Sequence, residues 1–291
     1  MSSTVNEIPS GAAPVPHLTI RPSSRWSALN LGEVWQFRDL LMTLAARDVK
    51  LRYRQTAIGA GWVIIQPLLA AGIFSFVFNR IAGLSTDGIP GIVFTFAGML
   101  AWSVFANTLG KSSGVLVGNS QLVSKVYFPR LVLPLSTVFS TLIDFGVALI
   151  MMGVLMAIYH VVPHWSLLLL PVWLLLMLML SLGIGLVAAA AMVQYRDVGY
   201  VLPVVTQFLQ YASPVAYSTS IIVHKLGPHA YLYFLNPLAS LLEAFRWSML
   251  GLNSGAVHWH FVIYAAVLSV VVFIGGAFQF KKMERRFADV I

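Results

Sequence analysis

At 291 residues, with 58% hydrophobic side chains and only 10% charged ones, the chain carries too few charges to cover the surface of a soluble globule. The absence of cysteine excludes disulfides, thiol nucleophiles and thiolate metal sites. Most of the basic residues behind the net charge of +8 flank apolar stretches, where anionic lipid heads account for them and nucleic acid is not needed.

Residues 1–30 read as a loosely ordered tail. Met1 to Pro16 carries one acid and no base, unlike the basic start and apolar core of a cleaved signal peptide. Residues 31–56 follow as an amphipathic interfacial helix. Between Glu33 and Arg54, Val34, Phe37, Leu40, Leu41, Leu44 and Leu51 share one helical face, with Asp39, Arg47, Lys50 and Arg54 opposite. Such a pattern lies flat on a membrane, although Asp48 and Arg52 fall off the polar face.

A transmembrane domain over 57–280 comes next. A helical crossing takes about 20 apolar residues, and charge-free windows of that size lie within Gln55–Asn79 and Gly88–Gly110. A third runs from Leu131 to Tyr159, interrupted by Asp144, and a fourth from Ser166 to Val193. The fifth begins near Gly199 and the last lies between Phe261 and Phe280, leaving 281–291 as a second tail. The expected class is an all-α integral membrane protein with six transmembrane helices and both termini on one side.

Basic residues accumulate in cytoplasmic loops. Arg21, Arg25, Arg38, Arg47, Lys50, Arg52 and Arg54 precede the first window, and Lys281, Lys282, Arg285 and Arg286 follow the last. Both ends are therefore expected in the cytoplasm. Lys111, Lys125, Arg130 and Arg196 fall in connections on the same side, against Arg80, Lys225 and Arg246 on the other.

Between the fifth and sixth windows, Ser213 to Trp259 is too apolar for an ordinary loop and is broken by Pro214, Pro228 and Pro237. It reads as a re-entrant pair of short helices, with a long outer loop resting on lipid as the alternative. Non-helical backbone at membrane depth requires protein or a water-filled cavity around it, so the re-entrant form points to a pathway. No repeat of fixed period and no duplication of halves supports a carrier built from two repeats.

Few motifs carry chemistry. Gly110-Lys111-Ser112 matches the end of a phosphate-binding loop, but position 105 is Phe105 where a glycine is required, and no strand precedes it. Asp144, in the middle of the third window, costs on the order of 3 kcal/mol at that depth. It reads as a carboxyl satisfied by Thr137, Ser140 or Thr141, or else as a proton or cation site. His160 with His164, and His258 with His260, are too few for a zinc site. Glu243 and Arg246, at i and i+3, form a structural ion pair or part of an outer gate. Trp102, Phe105, Tyr211 and Tyr217 are candidates for a path along which sugar C–H faces stack on rings, against the ordinary interfacial belt.

Several segments in order resemble the permease subunits of bacterial polysaccharide exporters in the ABC-2 class, the group of O-antigen, capsule and teichoic-acid transporters. They are Leu31-Gly32-Glu33-Val34-Trp35-Gln36-Phe37-Arg38-Asp39-Leu40, Arg47-Asp48-Val49-Lys50-Leu51-Arg52-Tyr53-Arg54-Gln55-Thr56 with Gly59, Trp62 and Pro67, and Leu122-Val123-Ser124-Lys125-Val126-Tyr127-Phe128-Pro129-Arg130. Tyr195-Arg196-Asp197-Val198-Gly199 with Pro203, Ser213-Pro214-Val215, and Asn236-Pro237-Leu238 with Glu243 and Arg246 complete the series.

The resemblance implies a homodimer in the bacterial inner membrane, joined to two copies of a cytoplasmic ATPase subunit. ATP and magnesium would be held by that partner, with no cofactor or metal on this chain and no enzymatic activity of its own. Ser120 to Phe128 would be a coupling helix, with Gln121, Leu122, Val123, Ser124, Lys125, Val126, Tyr127 and Phe128 meeting the ATPase and Arg196 and Asp197 near a second contact. The implied cargo is a glycan on polyprenyl pyrophosphate, for which Arg47, Lys50, Arg52 and Arg54 form a basic entrance; positive-inside anchoring explains the same residues. An ABC-2 exporter of a drug or small lipid, and an ion-coupled secondary carrier using Asp144, are the competing classes.

Overall fold

The computed structural model describes residues 31–53, 61–251 and 257–290. Among them every element is helical and no strand occurs. A short α1 (Leu31–Gln36) leads into α2 (Arg38–Tyr53), and α3 (Gly61–Phe74) continues through a π-wound stretch, Ser75–Ile81. Then come α4 (Gly91–Gly118), α5 (Ser120–Lys125) and α6 (Val132–Ile158). A 3-10 turn at Trp165–Leu169 opens α7 (Leu170–Gln194), followed by α8 (Val198–Ala212), α9 (Thr219–Leu226), α10 (Ala230–Phe234), α11 (Pro237–Leu250) and α12 (Trp259–Val290).

Five of these are long and apolar enough to cross a membrane: Ile64–Ile81, Gly91–Gly118, Val132–Ile158, Trp165–Gln194 and Trp259–Glu284. The fifth expected window yields only the 15 residues of α8. At about 1.5 Å per residue that is roughly 22 Å, short of a hydrocarbon core of about 30 Å. Capping chemistry sets the breaks that follow. Ser218 Oγ accepts from the Ser220 amide to start α9, and Asn236 Oδ1 accepts from the Leu238 amide ahead of Pro237 to start α11. Gly251, at φ +65°, ends α11 in the left-handed conformation that glycine enters without steric cost.

The innermost crossing is α4, which packs on α3, α6, α7, α8 and α11. It runs eight residues past the expected window, to Gly118, because Lys111 stands inside the helix and is neutralised by Asp144 of α6. Lys111 is thus not a loop charge. Between α7 and α12 the backbones touch at Gly183 and Gly276, where a methyl on either would overlap the other helix. Apolar helices surrounded by lipid gain little from burying more carbon, so such close approach is what holds them together.

The bend between α8 and α9 also sits directly on a glycine. A Cβ at Gly98 would overlap the Val215 carbonyl oxygen, about 10 Å along α4 from its start at ~1.5 Å per residue. From there α11 runs entirely inside the protein, with every side chain from Leu238 to Leu250 buried, Glu243 and Arg246 included. Arg246 is therefore not the outer loop charge its sequence position suggests.

At the opposite end Leu44, Leu116, Val123, Phe128, Leu133, Leu186 and Phe280 form one apolar cluster. It unites α2, α5, the last turns of α4 and α7, the start of α6 and the later part of α12, so both ends of the described chain meet there. Val34, Phe37, Leu40 and Leu41 pack against the same cluster. Most of the apolar face of α2 thus covers protein rather than lipid, and Leu51 alone of that set is largely exposed. The C-terminal residues after Phe280 extend α12 to Val290. Arg130 fastens them, donating from Nη1 to the Glu284 carbonyl at 2.9 Å and from its amide to the Glu284 carboxylate at 3.3 Å.

Because Gly98 has no room for a methyl while a Cβ at Gly110 in the same helix meets nothing within 4 Å, the two alanine variants should separate. Gly98→Ala is expected to destabilise the detergent-solubilised protein by about 1–3 kcal/mol, and Gly110→Ala to leave its melting temperature unchanged or raised. Thermal unfolding followed by size-exclusion chromatography measures both.

Candidate functional site

The end of the bundle that gathers both ends of the described chain carries an exposed apolar projection tied to a fixed framework. Asn119, between α4 and α5, holds the turn: its Nδ2 donates to the Val115 carbonyl at 2.9 Å, and its own carbonyl accepts from the amides of Leu122 and Val123 at 3.0 Å each. Val123 and Phe128 then plug into the apolar cluster. The helix stops at Lys125 rather than Phe128, since Val126 turns extended at φ −124°, ψ 133°. That change of winding leaves Val126 50% and Tyr127 65% exposed, beside exposed Gln121, Ser124 and Lys125, while Leu122 is half-buried. Of the ten residues expected to meet a partner, Val123 and Phe128 therefore anchor the projection from beneath. Arg196 and Asp197 are both exposed in the turn from α7 to α8, at the same end of the bundle.

The expected basic entrance is connected to this projection. Arg47 donates from Nη2 to Asn119 Oδ1 at 2.7 Å and to Asp48 at 3.2 Å, so the guanidinium of α2 grips the residue that starts α5. Lys50 is exposed one turn further on. Arg54 and the side chain of Arg52 lie outside the described residues. Sequence periodicity places Arg47 on a polar face; nothing in it points to Asn119, which is 72 positions away.

At the other end a buried ion pair supports the α8–α9 bend. Arg246 Nη2 meets Glu243 Oε2 at 2.9 Å, both side chains essentially solvent-free. Its Nη1 donates to the carbonyls of Val215 and Tyr217 at 3.4 and 3.3 Å. The guanidinium also lies 4.2 Å from the ring centre of Phe94 in α4, a cation–π contact in a dry setting. The pair braces the bend from inside, with both side chains buried.

The four aromatic candidates divide. Trp102 and Phe105, 5.5 Å apart, are buried in the core of the chain, because they sit on α4, which other helices enclose. Tyr211 and Tyr217 lie at the end of α8 and the following bend, in a file with residues the sequence did not single out. Phe74 stacks 6.0 Å from Tyr211, Phe78 lies 6.4 Å from Tyr217, and the Tyr217 and Tyr233 hydroxyls are 3.1 Å apart. Phe74 and Phe78, four apart at the end of the first apolar window, are the available sequence signal. Asp87, also unanticipated, accepts from Ser218 at 2.5 Å and Ser220 at 3.2 Å, joining the α3–α4 connection to α9.

Asp144 is met by Lys111 Nζ at 3.0 Å. The hydroxyls of Ser140 and Thr141 bond to that same ammonium, at 3.0 and 3.5 Å. The carboxylate is thus satisfied by a cation from α4, where the sequence offered hydroxyls from its own helix.

Removing one partner of a buried pair strands the other charge, which costs about 3–5 kcal/mol. Arg246→Ala is expected to destabilise more than Glu243→Gln, since it also releases the two carbonyls of the bend. Thermal melting of the two single variants and the double variant measures the coupling, and additive losses would contradict the brace.

A family model described as ABC-2 type transporter matches residues 39–250. The chain is 30% identical over 214 residues to the O-antigen export system permease protein RfbA of Myxococcus xanthus, covering 74% of this chain and 81% of that protein. Two proteins of the same name from Klebsiella pneumoniae are each 26% identical, over 90% of this chain and 97% of theirs. With five apolar helices of spanning length and a match from the start of α2 to the last residue of α11, this multi-pass membrane chain belongs to the ABC-2 type transporter family.

Proposed function

We propose that the chain is the membrane permease of an ATP-driven exporter that moves a polyprenyl-pyrophosphate-linked polysaccharide, O-antigen in the first instance, across the bacterial inner membrane. The observation that carries the reading is the near end-to-end similarity to permeases named for O-antigen export, 90% of this chain against 97% of theirs. It is supported by the projection at Val126 and Tyr127, an apolar knob with a polar rim of the kind that anchors protein interfaces. The nucleotide chemistry belongs to the partner: Gly110-Lys111-Ser112 is wound inside α4 and presents no loop of free amides to a phosphate.

In this reading the termini, α2, α5 and the α7–α8 turn face the cytoplasm, and two ATPase subunits seat on α5 and on Arg196 and Asp197. Two copies of the chain pair through the exposed stripe of α8, where Tyr200, Val204, Phe208 and Tyr211 lie on successive turns. The short α8, the bend on Gly98 and α9–α11 together make a sixth, re-entrant passage whose backbone Arg246 keeps satisfied. The file of Phe74, Tyr211 and Tyr217 gives sugar rings a surface along it. Arg47, Lys50, Arg52 and Arg54 receive the pyrophosphate, and Arg47 passes its occupancy to α5 through Asn119. This is transport without chemistry on the chain itself.

Purification from the native host decides between this and a free-standing carrier: a co-purifying ATPase, with glycan trapped inside the cell on depletion, is expected. Val126→Ala with Tyr127→Ala should lose the ATPase by at least about tenfold while melting like the parent. Normal co-purification would remove the coupling role. Asp144→Asn, with Lys111→Met to avoid a stranded cation, should retain transport; its loss in a folded, ATPase-bound protein would favour an ion-coupled carrier.

A further inference from the structure

The first crossing ends in an irregularity of winding. From Ser75 to Ile81 the helix widens into π winding, a form with poorer hydrogen-bond geometry that recurs mostly as short bulges at functional sites. The widened turn and the start of α4 enclose an open cleft of about 400 Å³, within the range of small-ligand sites. Its walls divide by chemistry. Gly72, Phe76 and Ile92 are apolar, and Gly72 lies a full turn deeper in the span; Arg80, Asn79 and Ser75 form the polar end, where the apolar stretch stops at Ile81.

Asn79 is fixed in one orientation. Its Nδ2 lies 3.3 Å from Ser75 Oγ, the Gly91 carbonyl and Thr95 Oγ1. A carbonyl only accepts, so the amide nitrogen must face Gly91. That leaves Oδ1 buried with no donor among the described residues. An orphaned acceptor beside a cleft costs free energy until something donates to it. Gly91 makes the arrangement possible, since a Cβ there would come within 2.7 Å of Asn79 Nδ2 and 2.9 Å of Ser75 Oγ. Arg80 lines the same cleft, is exposed, and has no carboxylate partner among the described residues.

We propose that this cleft binds the head of an anionic membrane lipid whose phosphate diester carries a hydroxyl-bearing substituent. The phosphate sits on the Arg80 guanidinium, whose planar fork matches two of its oxygens. The substituent's hydroxyl donates to Asn79 Oδ1, an atom without solvent exposure in the free chain that the bound head uncovers, and the start of the acyl chains lies along Phe76 and Gly72. A choline head offers no donor to Oδ1, and an ethanolamine head brings a second cation beside Arg80. Interfacial anchoring by an arginine needs neither the orphaned amide oxygen nor the cleft, so it leaves both unexplained. The inference does not depend on what the protein transports.

Native mass spectrometry of the detergent-purified full chain, with whatever subunits accompany it, tests the site with three defined lipids added in turn: phosphatidylglycerol, phosphatidylmethanol and phosphatidylethanolamine. Phosphatidylglycerol should be retained best. Phosphatidylmethanol has the same charge without the hydroxyl and should bind several-fold less. Arg80→Ala, at an exposed position that leaves the fold intact, should lower phosphatidylglycerol retention by about tenfold, with Arg80→Lys recovering part of it. Asn79→Leu should abolish the difference between the glycerol and methanol heads. Equal retention by the parent and Arg80→Ala, or equal binding of the two anionic lipids by the parent, would overturn the proposal. Displacement of phosphatidylglycerol by purified lipid-linked glycan would overturn the assignment to a membrane lipid and give the cleft to the cargo.

Discussion

A stretch of backbone without helical hydrogen bonds lies inside this bundle, and the guanidinium of Arg246 is what allows it to be there. Carbonyls at Val215 and Tyr217 have no i+4 amide to accept from, and an unpaired buried carbonyl is costly in an apolar interior. Arg246 supplies the donors, Glu243 balances its charge, and the Phe94 ring covers its face. The arrangement demands that α11 be short and wholly buried, because both ions must stay dry and in reach of the bend. It also demands glycine at position 98, so that α4 comes close enough for Phe94 to meet the guanidinium.

Those demands make α4 the member through which the two ends of the protein are joined. One unbroken helix touches the braced bend at Phe94 and Gly98, is pinned to α6 by Lys111, and finishes at Asn119 in the grip of Arg47. A 28-residue helix spans about 42 Å at ~1.5 Å per residue, and its interior residues are packed on several sides. Packed interiors are nearly incompressible, so the contacts at the two ends of α4 are tied to one stiff element.

Length and hydropathy made the spanning helices legible, since about 20 apolar residues admit few other readings. Their ends were less so, and for a definite reason. The window opening at Gly88 stops short of Lys111, because a charge ends a charge-free run whether or not an acid 33 positions later neutralises it. Arg246 was misplaced by the same logic: counted as a loop charge, it is one of the largest fully buried side chains. The segment expected to meet a partner is legible as a short helix, and its exposed face is not. Leu122, Val123, Val126, Tyr127 and Phe128 look alike in sequence, and only the extended turn at Val126 decides which of them point outward. Asp87, Asn79 and Asn119 act through partners that no local pattern encodes.

The two buried ion pairs show why an intramembrane charge is an ambiguous sign of ion transport. A coupling carboxylate must exchange its bound ion with water on each side in turn, so it needs a partner that leaves. Asp144 faces an ammonium on the neighbouring helix, and that ammonium is itself bonded to Ser140 and Thr141. Glu243 is held by an arginine that simultaneously donates to two backbone carbonyls. Both carboxylates are committed to joining segments of the fold. That commitment fits the proposal that the driving energy for transport enters at the exposed apolar projection of α5.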